Sequence, residues 1–414
     1  MRRLASSLAL AKRSLAWRSR ALAVWTSLAL GWTCGGPTAS AAEASDPPLL
    51  PETPTAPHYA FAAVPLVSYS SDTGFGLGLR GVVQRRAADA EPYVFSLEAQ
   101  GFATTGGTQF HFAFLDVPRL AGGPFRLDVL AGYDRNSAAP YYGIGNHPAL
   151  ASDAPTPLDT YVEEYPVLRA RLRGAVWQGL SAIGGYRLLL QHVAAEPNSR
   201  LAQDAPLGVD GGAYAEASLG LGWDTRDDEM EPTRGALLEA TARTTAAPLG
   251  SRFVSVGAFS SAAAYQAIGA RAVVAGRVAL DATWGDVPFD RLQDFGSLLT
   301  PFFLLSGVGG GLTVRGLRQS EYVGRTKAIA NAEIRWQFME LDVWRERVRL
   351  SSIAFVDAGR VWHGRDPPAL AAFGVHVGTG GGLRIAWGKL VVLRADVGFA
   401  EGAARAYADF RHVF

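Results

Sequence analysis

The chain reads as all-β: a sixteen-stranded antiparallel barrel that crosses an outer membrane. Three observations carry this. Side chains alternate between apolar and charged through most of the sequence. The alternating segments run close to the ~10 residues that a tilted membrane strand needs. The N-terminus reads as an export signal. Successive side chains of a strand face opposite sides, so each segment has an oily face and a wet face. Only a closed sheet sets such strands in lipid with every backbone group paired.

Composition agrees. Apolar residues make up 48% and charged residues 19% of the chain, yet no internal run of eighteen apolar residues occurs, so helical spans are not expected. The 47 glycines and 10% aromatics suit tight turns and interfacial girdles.

At the N-terminus, Arg2, Arg3, Lys12, Arg13, Arg18 and Arg20 form a basic region. Ala21 to Thr33 is apolar, and Ala39-Ser40-Ala41 offers a cleavage site, so residues 1–41 read as a secretory signal peptide. Its removal takes six basic and no acidic residues, leaving 33 against 38 and a net charge of −5. The full chain's formal +1 is therefore no argument for a nucleic-acid partner. Cys34, the single cysteine, leaves with the signal, which excludes disulfide and thiol chemistry in the mature chain. Residues 42–58 carry Pro47, Pro48, Pro51, Pro54 and Pro57 and read as an extended periplasmic linker.

The barrel is expected over residues 59–414. Leu97 and Ala99 alternate with Glu98 and Gln100, and Phe110, Phe112 and Phe114 with Gln109 and His111. Phe125, Leu127, Val129 and Ala131 flank Arg126 and Asp128, and Leu168, Ala170 and Leu172 flank Arg169, Arg171 and Arg173. Ala330, Ala332, Ile334 and Trp336 oppose Asn331, Glu333 and Arg335. Leu393, Ala395, Val397 and Phe399 oppose Arg394 and Asp396. In the last segment Ala406, Ala408, Phe410 and Phe414 share the apolar face with His412, opposite Tyr407, Asp409 and Arg411. A soluble sandwich also alternates, but its strands are nearer five or six residues. With the first strand leaving the periplasm near Phe61, the long gaps follow odd-numbered strands, around 135–160, 195–210, 286–326 and 363–373. Short periplasmic turns and long outer loops are the pattern of such barrels.

Four stretches go beyond a generic barrel. They are Gly309 to Leu317, with Val314-Arg315-Gly316-Leu317 at its end; Phe355-Val356-Asp357-Ala358-Gly359; Gly378 to Arg384, with Gly380, Gly382 and Arg384 on one face; and Asp224-Thr225-Arg226-Asp227 followed by Pro232 and Gly235. Together they resemble the bacterial surface antigen family, the outer-membrane assembly and secretion superfamily that includes BamA, TamA and the two-partner-secretion transporters. The resemblance covers about residues 59–414. It implies that the sixth outer loop folds into the lumen and that Arg315 pairs with Asp357, with Arg384 and Glu333 nearby. Gly359, Gly380 and Gly382 would admit the loop to the wall. Leu317 stands where the family prefers an aromatic. The resemblance also makes the terminal aromatic, Phe414, the signal read by the barrel-assembly machinery. The chain departs from the family pattern in one further respect: members usually carry periplasmic POTRA modules, and Ala42 to Phe61 has no room for one, so a branch lacking them is expected.

No nucleophile elbow, zinc-protease motif or phosphate loop is present, and the seven histidines show no ligand spacing. No enzyme, metal or cofactor is expected. The first functional reading is translocation or insertion of protein or lipid through a weak seam between first and last strands, with outer-membrane lipid as surroundings. Pro65, in the first strand, cannot donate a ladder bond. The alternatives are a passive pore, and an accessory barrel with a separate periplasmic partner protein.

Overall fold

In the computed structural model the described residues are 57–71, 73–87, 90–146, 157–299, 305–343, 346–364, 374–387, 391–410 and 412–414. The expected signal and nearly all of the linker lie outside them.

Sixteen strands occur among these residues. They are β1 (His58–Ser70), β2 (Gly74–Ala87), β3 (Ala90–Thr104), β4 (Thr108–Val117), β5 (Phe125–Pro140), β6 (Thr160–Trp177), β7 (Leu180–Ala195), β8 (Gly212–Asp224), β9 (Gly235–Thr245), β10 (Ser255–Ile268), β11 (Ala272–Gly285), β12 (Thr326–Val343), β13 (Glu346–Trp362), β14 (His376–Trp387), β15 (Val391–Ala400) and β16 (Ala403–Phe410). Each pairs antiparallel with its sequence neighbours, and β1 meets β16, so the sheet is a closed sixteen-stranded barrel. The long connections follow β5, β7, β11 and β13, on the side opposite the start of β1 and the end of β16.

The alternation fixes the register. On β12, Asn331, Glu333 and Arg335 are buried while Ile334 and Trp336 are about half exposed on the outer face. Slipping the strand by one residue would turn Glu333 and Arg335 into lipid. A charge at the bilayer midplane costs ~2–4 kcal/mol for a basic residue, so the pattern admits one register.

The structure departs from the sequence reading in two places. On β4, Phe112 and Phe114 point inward and are buried, on the same face as Asp116. Asp116 decides this: it takes a bidentate bond from Arg126 and one from the Tyr93 hydroxyl, inside the barrel. The Arg80 guanidinium lies 5.3 Å from the Phe112 ring centroid. A carboxylate outranks three rings when a strand chooses its face, because rings tolerate a polar lumen and a carboxylate does not tolerate lipid.

The second departure is at the C-terminal end. β16 stops at Phe410, and Phe414 does not continue it on the lipid face. Its ring packs beside Tyr265 on β10 and lies 5.0 and 5.6 Å from the guanidinium carbons of Arg277 and Arg335, which are inward-facing on β11 and β12. Arg277 donates to the Val413 carbonyl at 3.2 Å and Arg335 to that of Phe414 at 3.1 Å. Two cation–π contacts and two charge-assisted hydrogen bonds hold the tail in the lumen. His412, expected on the lipid face, turns inward with it, towards Arg335, Arg384 and Glu333.

The seam shows the consequence. β1 pairs with β2 along its whole length, but with β16 only at Tyr69–Ala408 and Ser70–Tyr407, plus a bond from the Ser71 N–H to the Ala406 carbonyl. From Tyr59 to Ser68, β1 forms no ladder with β16 among the described residues, and Val413 and Phe414 lie in the lumen instead of extending β16 beside it. Pro65 lies in that stretch, opposite Leu79 of β2.

Candidate functional site

Residues 286–325 connect β11 to β12, and the described ones, 286–299 and 305–325, run through the barrel interior. The first limb lies along β6 to β11. Arg291 donates to Glu163 at 2.7 Å, Arg187 pairs with Asp294 at 2.9 Å, and Glu239 accepts from the Ser297 hydroxyl at 2.7 Å and the Leu299 N–H at 3.1 Å. The Gly296 N–H donates to Asp281 at 3.0 Å. Backbone groups of an irregular segment are thus satisfied by wall side chains, the condition for non-helical backbone at membrane depth.

The second limb carries Arg315, which is fully buried. Its Nε and Nη2 donate to Asp357 of β13 at 2.7 and 2.9 Å, and its backbone N–H donates to the same carboxylate at 3.1 Å. Nη1 lies 2.8 Å from Glu333 of β12 and 3.3 Å from Asp396 of β15. The guanidinium sits over the Phe355 ring, 3.4 Å from its centroid. One planar fork therefore ties together three wall strands, which a point-charge lysine could not do. The carboxylates are shared in turn: Asp396 takes Arg384 at Nη1 and, at 3.1 Å, Nη2; Glu333 takes Arg335 at 3.0 Å; and Asp357 accepts from Asn331 at 2.8 Å. Arg277 and Arg394 reach the loop backbone itself, at the carbonyls of Leu312 (2.6 Å) and Gly311 (2.8 Å).

Beyond Arg315, Gly316 has φ +101°, a left-handed conformation that favours glycine. Leu317 is buried with Phe295, Val308, Val314 and Tyr322, so an aliphatic side chain fills the position where the related family prefers an aromatic. The Tyr407 hydroxyl of β16 donates to the Leu317 carbonyl at 3.0 Å and accepts from the Gly316 N–H at 3.3 Å.

The glycines divide by role. A Cβ on Gly378 would lie 1.9 Å from the Arg315 carbonyl oxygen, and one on Gly398 would lie 2.7 Å from the Gly316 nitrogen, so these two admit the loop backbone. Gly359 faces loop side chains instead, Val308 and Val314. Gly380 makes room for the Val397 carbonyl and the Phe355 ring, and Gly382 for the Asp396 carboxylate. The three glycines singled out from sequence therefore line the same wall, but the closest backbone approach falls to Gly378 and Gly398.

At the periplasmic end, Arg226 forks onto Asp224, and Asp227 accepts from the Thr233 and Arg234 N–H groups at 2.9 and 3.1 Å. Burial pushes the Asp227 carboxyl up, but the Thr233 hydroxyl and these N–H donors outweigh it and hold the group below the ordinary value. Glu231 of this turn pairs with Arg349 on β13, so the turn reaches under the lumen.

Of the residues expected at the site, Val314, Arg315, Gly316, Leu317, Glu333, Phe355, Asp357, Gly359, Gly380, Gly382 and Arg384 are brought together here. Pro65 and Phe410 lie elsewhere, on β1 and at the end of β16. Asp396, Asn331, Arg277, Tyr407 and Gly398 were not anticipated as parts of it, and Gly378 was marked only as the start of the Gly378 to Arg384 stretch. Asp396 had a signal, an inward acid amid small and apolar neighbours. Tyr407 had one too, as the aromatic on the wet face of the last strand.

Residues 193–411 match the profile of the Omp85 superfamily domain, a span that holds β8 to β16 and the inward loop. No curated protein sequence matches the chain. Among solved structures, BamA from Haemophilus ducreyi lacking POTRA domains 1–3 superposes with a TM-score of 0.56 at 16% identity, covering 86% of this chain and 70% of that one. CdiB from Escherichia coli superposes with a TM-score of 0.55 at 12% identity, covering 87% of this chain and 64% of its own. Identities this low speak for the fold alone. With the profile matching more than half of its residues, the chain belongs to the Omp85 superfamily and is an integral β-barrel of the bacterial outer membrane.

Proposed function

We propose that this barrel moves or inserts protein or lipid at the outer membrane through the β1/β16 seam, with the Arg315 loop as an internal brace. The observation that carries the reading is the short seam, paired at Tyr69–Ala408 and Ser70–Tyr407, against full-length pairing of β1 with β2. A strand with one unpaired edge is a template for an incoming strand. Tyr407 supports the link between the two parts, since one residue sits in the seam register and also grips the loop. In this reading residues 1–41 direct export, 42–58 are the linker, and the related barrel-assembly machinery and outer-membrane lipid are the partners. A separate periplasmic protein would supply docking.

The test is a cysteine pair at Tyr69 and Ala408 in the otherwise cysteine-free mature chain. Locking the seam should abolish the protein's contribution to outer-membrane protein and lipid composition, measured after depletion of the wild type, and reductant should restore it. Full activity with the locked seam would exclude the gate. The passive-pore alternative fits less well, because the inward loop occupies the lumen along β6 to β16. Large, steady single-channel conductance would revive it.

A further inference from the structure

The inner face of β6 presents Arg169, Arg171 and Arg173 in succession. The barrel register sets two of them directly opposite other arginines: Arg173 faces Arg126 on β5, and Arg169 faces Arg187 on β7. Like charges directly opposite on adjacent strands are destabilising. The neighbours are neutralised elsewhere. Arg126 forks onto Asp116, and Arg187 pairs with Glu216 and Asp294. Arg171 holds Asp128 in a bidentate pair at 2.7 and 3.0 Å and also binds the Leu298 carbonyl of the inward loop. Glu98, the other acid that could have served this row, pairs with Arg80 at 3.8 Å. Among the described residues, Arg169 and Arg173 form no ion pair, and the Arg169 Nε is buried without a hydrogen-bond partner. Glu229 on the periplasmic turn and Asp128 act on Arg173 only through space.

We propose that Arg169 and Arg173 form a binding site for a phosphate-bearing ligand on the lumen wall of β6. Two positions along one strand face put the guanidinium stems ~13 Å apart, at ~3.3 Å per residue across four residues. That spacing fits two anionic groups of one ligand, or one group handed from Arg173, four residues from the periplasmic end of β6, to Arg169 deeper in. Guanidinium forks suit phosphate oxygens, and an anion arriving there removes two like-charge repulsions that the apo barrel carries. Arg171 is already committed, so it fixes the loop between the two sites. The inference is independent of the seam, because it concerns binding to the closed barrel.

The test uses the detergent-solubilised mature barrel and follows its thermal midpoint by heat-modifiable gel mobility. One arm adds inorganic pyrophosphate at millimolar concentration. The other adds phosphatidic acid to the micelles, with phosphatidylcholine as the control. A rise of several degrees in either phosphate arm, absent with phosphatidylcholine, is expected, and the arm that responds identifies a free phosphate or a lipid headgroup as the source. The R169Q/R173Q double variant should lose the response while its unliganded midpoint stays level or rises, because a repulsion has gone. No response in either arm, a response retained in the double variant, or a lowered unliganded midpoint in that variant would each overturn the assignment.

Discussion

The Tyr407 hydroxyl on β16 donates to the Leu317 carbonyl at 3.0 Å and takes the Gly316 N–H at 3.3 Å. The last strand of the barrel thereby holds the tip of the loop that crosses its interior. Tyr407 is itself one of the two β16 residues paired with β1.

Removing that hydroxyl separates the two roles. Tyr407→Phe keeps the ring and the strand register but leaves a buried carbonyl and N–H without their shared partner. A loss of ~1–3 kcal/mol is expected from unsatisfied buried groups. Urea unfolding of the barrel reconstituted in lipid vesicles measures it, and an unchanged midpoint would mean that water takes over both bonds.

Arg315 and Asp357 should behave as a coupled unit. Truncating either to alanine breaks a fully buried bidentate pair and should cost ~3–5 kcal/mol. The double variant should lose clearly less than the sum of the singles, because the pair interacts directly. Arg315→Lys should not rescue, since it cannot reach Asp357, Glu333 and Asp396 at once. Additive losses in the same unfolding assay would contradict this coupling.

Gly378→Ala tests the loop against the wall. The new Cβ would fall 1.9 Å from the Arg315 carbonyl oxygen, so the loop has to shift, and overpacking costs typically ~1–3 kcal/mol. Gly81→Ala is the control, with nothing within 4 Å of its Cβ. Faster proteolysis within residues 305–322 in G378A, with G81A unchanged, is the expected outcome.

Asp227 gives a pH dependence whose sign follows from its depressed folded-state value. The carboxylate adds stability above its unfolded value of ~3.9, and this is lost as pH falls through the lower folded value. Asp227→Asn should therefore lower the unfolding midpoint at neutral pH, and the gap from wild type should close below about pH 4. A gap that persists undiminished into strong acid would mean that shape, not charge, holds the turn.

Part of this site could be read from the chain alone. The Phe-x-Asp-x-Gly strand, the Gly-rich strand and the loop arginine were visible as local patterns. Their assembly was legible only through the resemblance, since nothing local says that Arg315 meets a carboxylate 42 residues away. Asp396 and Gly398 escaped notice because their importance comes from what the loop lays against β15, a matter of closure and not of sequence neighbourhood.

The sequence by itself determined the number of strands, the parity of long and short connections, and which residues share a strand face. These follow from the two-residue period and from the cost of a charge in lipid, both of which act locally. Only the tertiary structure decided that Phe112 and Phe114 turn inward, that Val413 and Phe414 lie against Arg277 and Arg335, and that Arg169 and Arg173 stand without counter-ions among the described residues. Each of those depends on which strands become neighbours and in what register, and a closed barrel sets that globally.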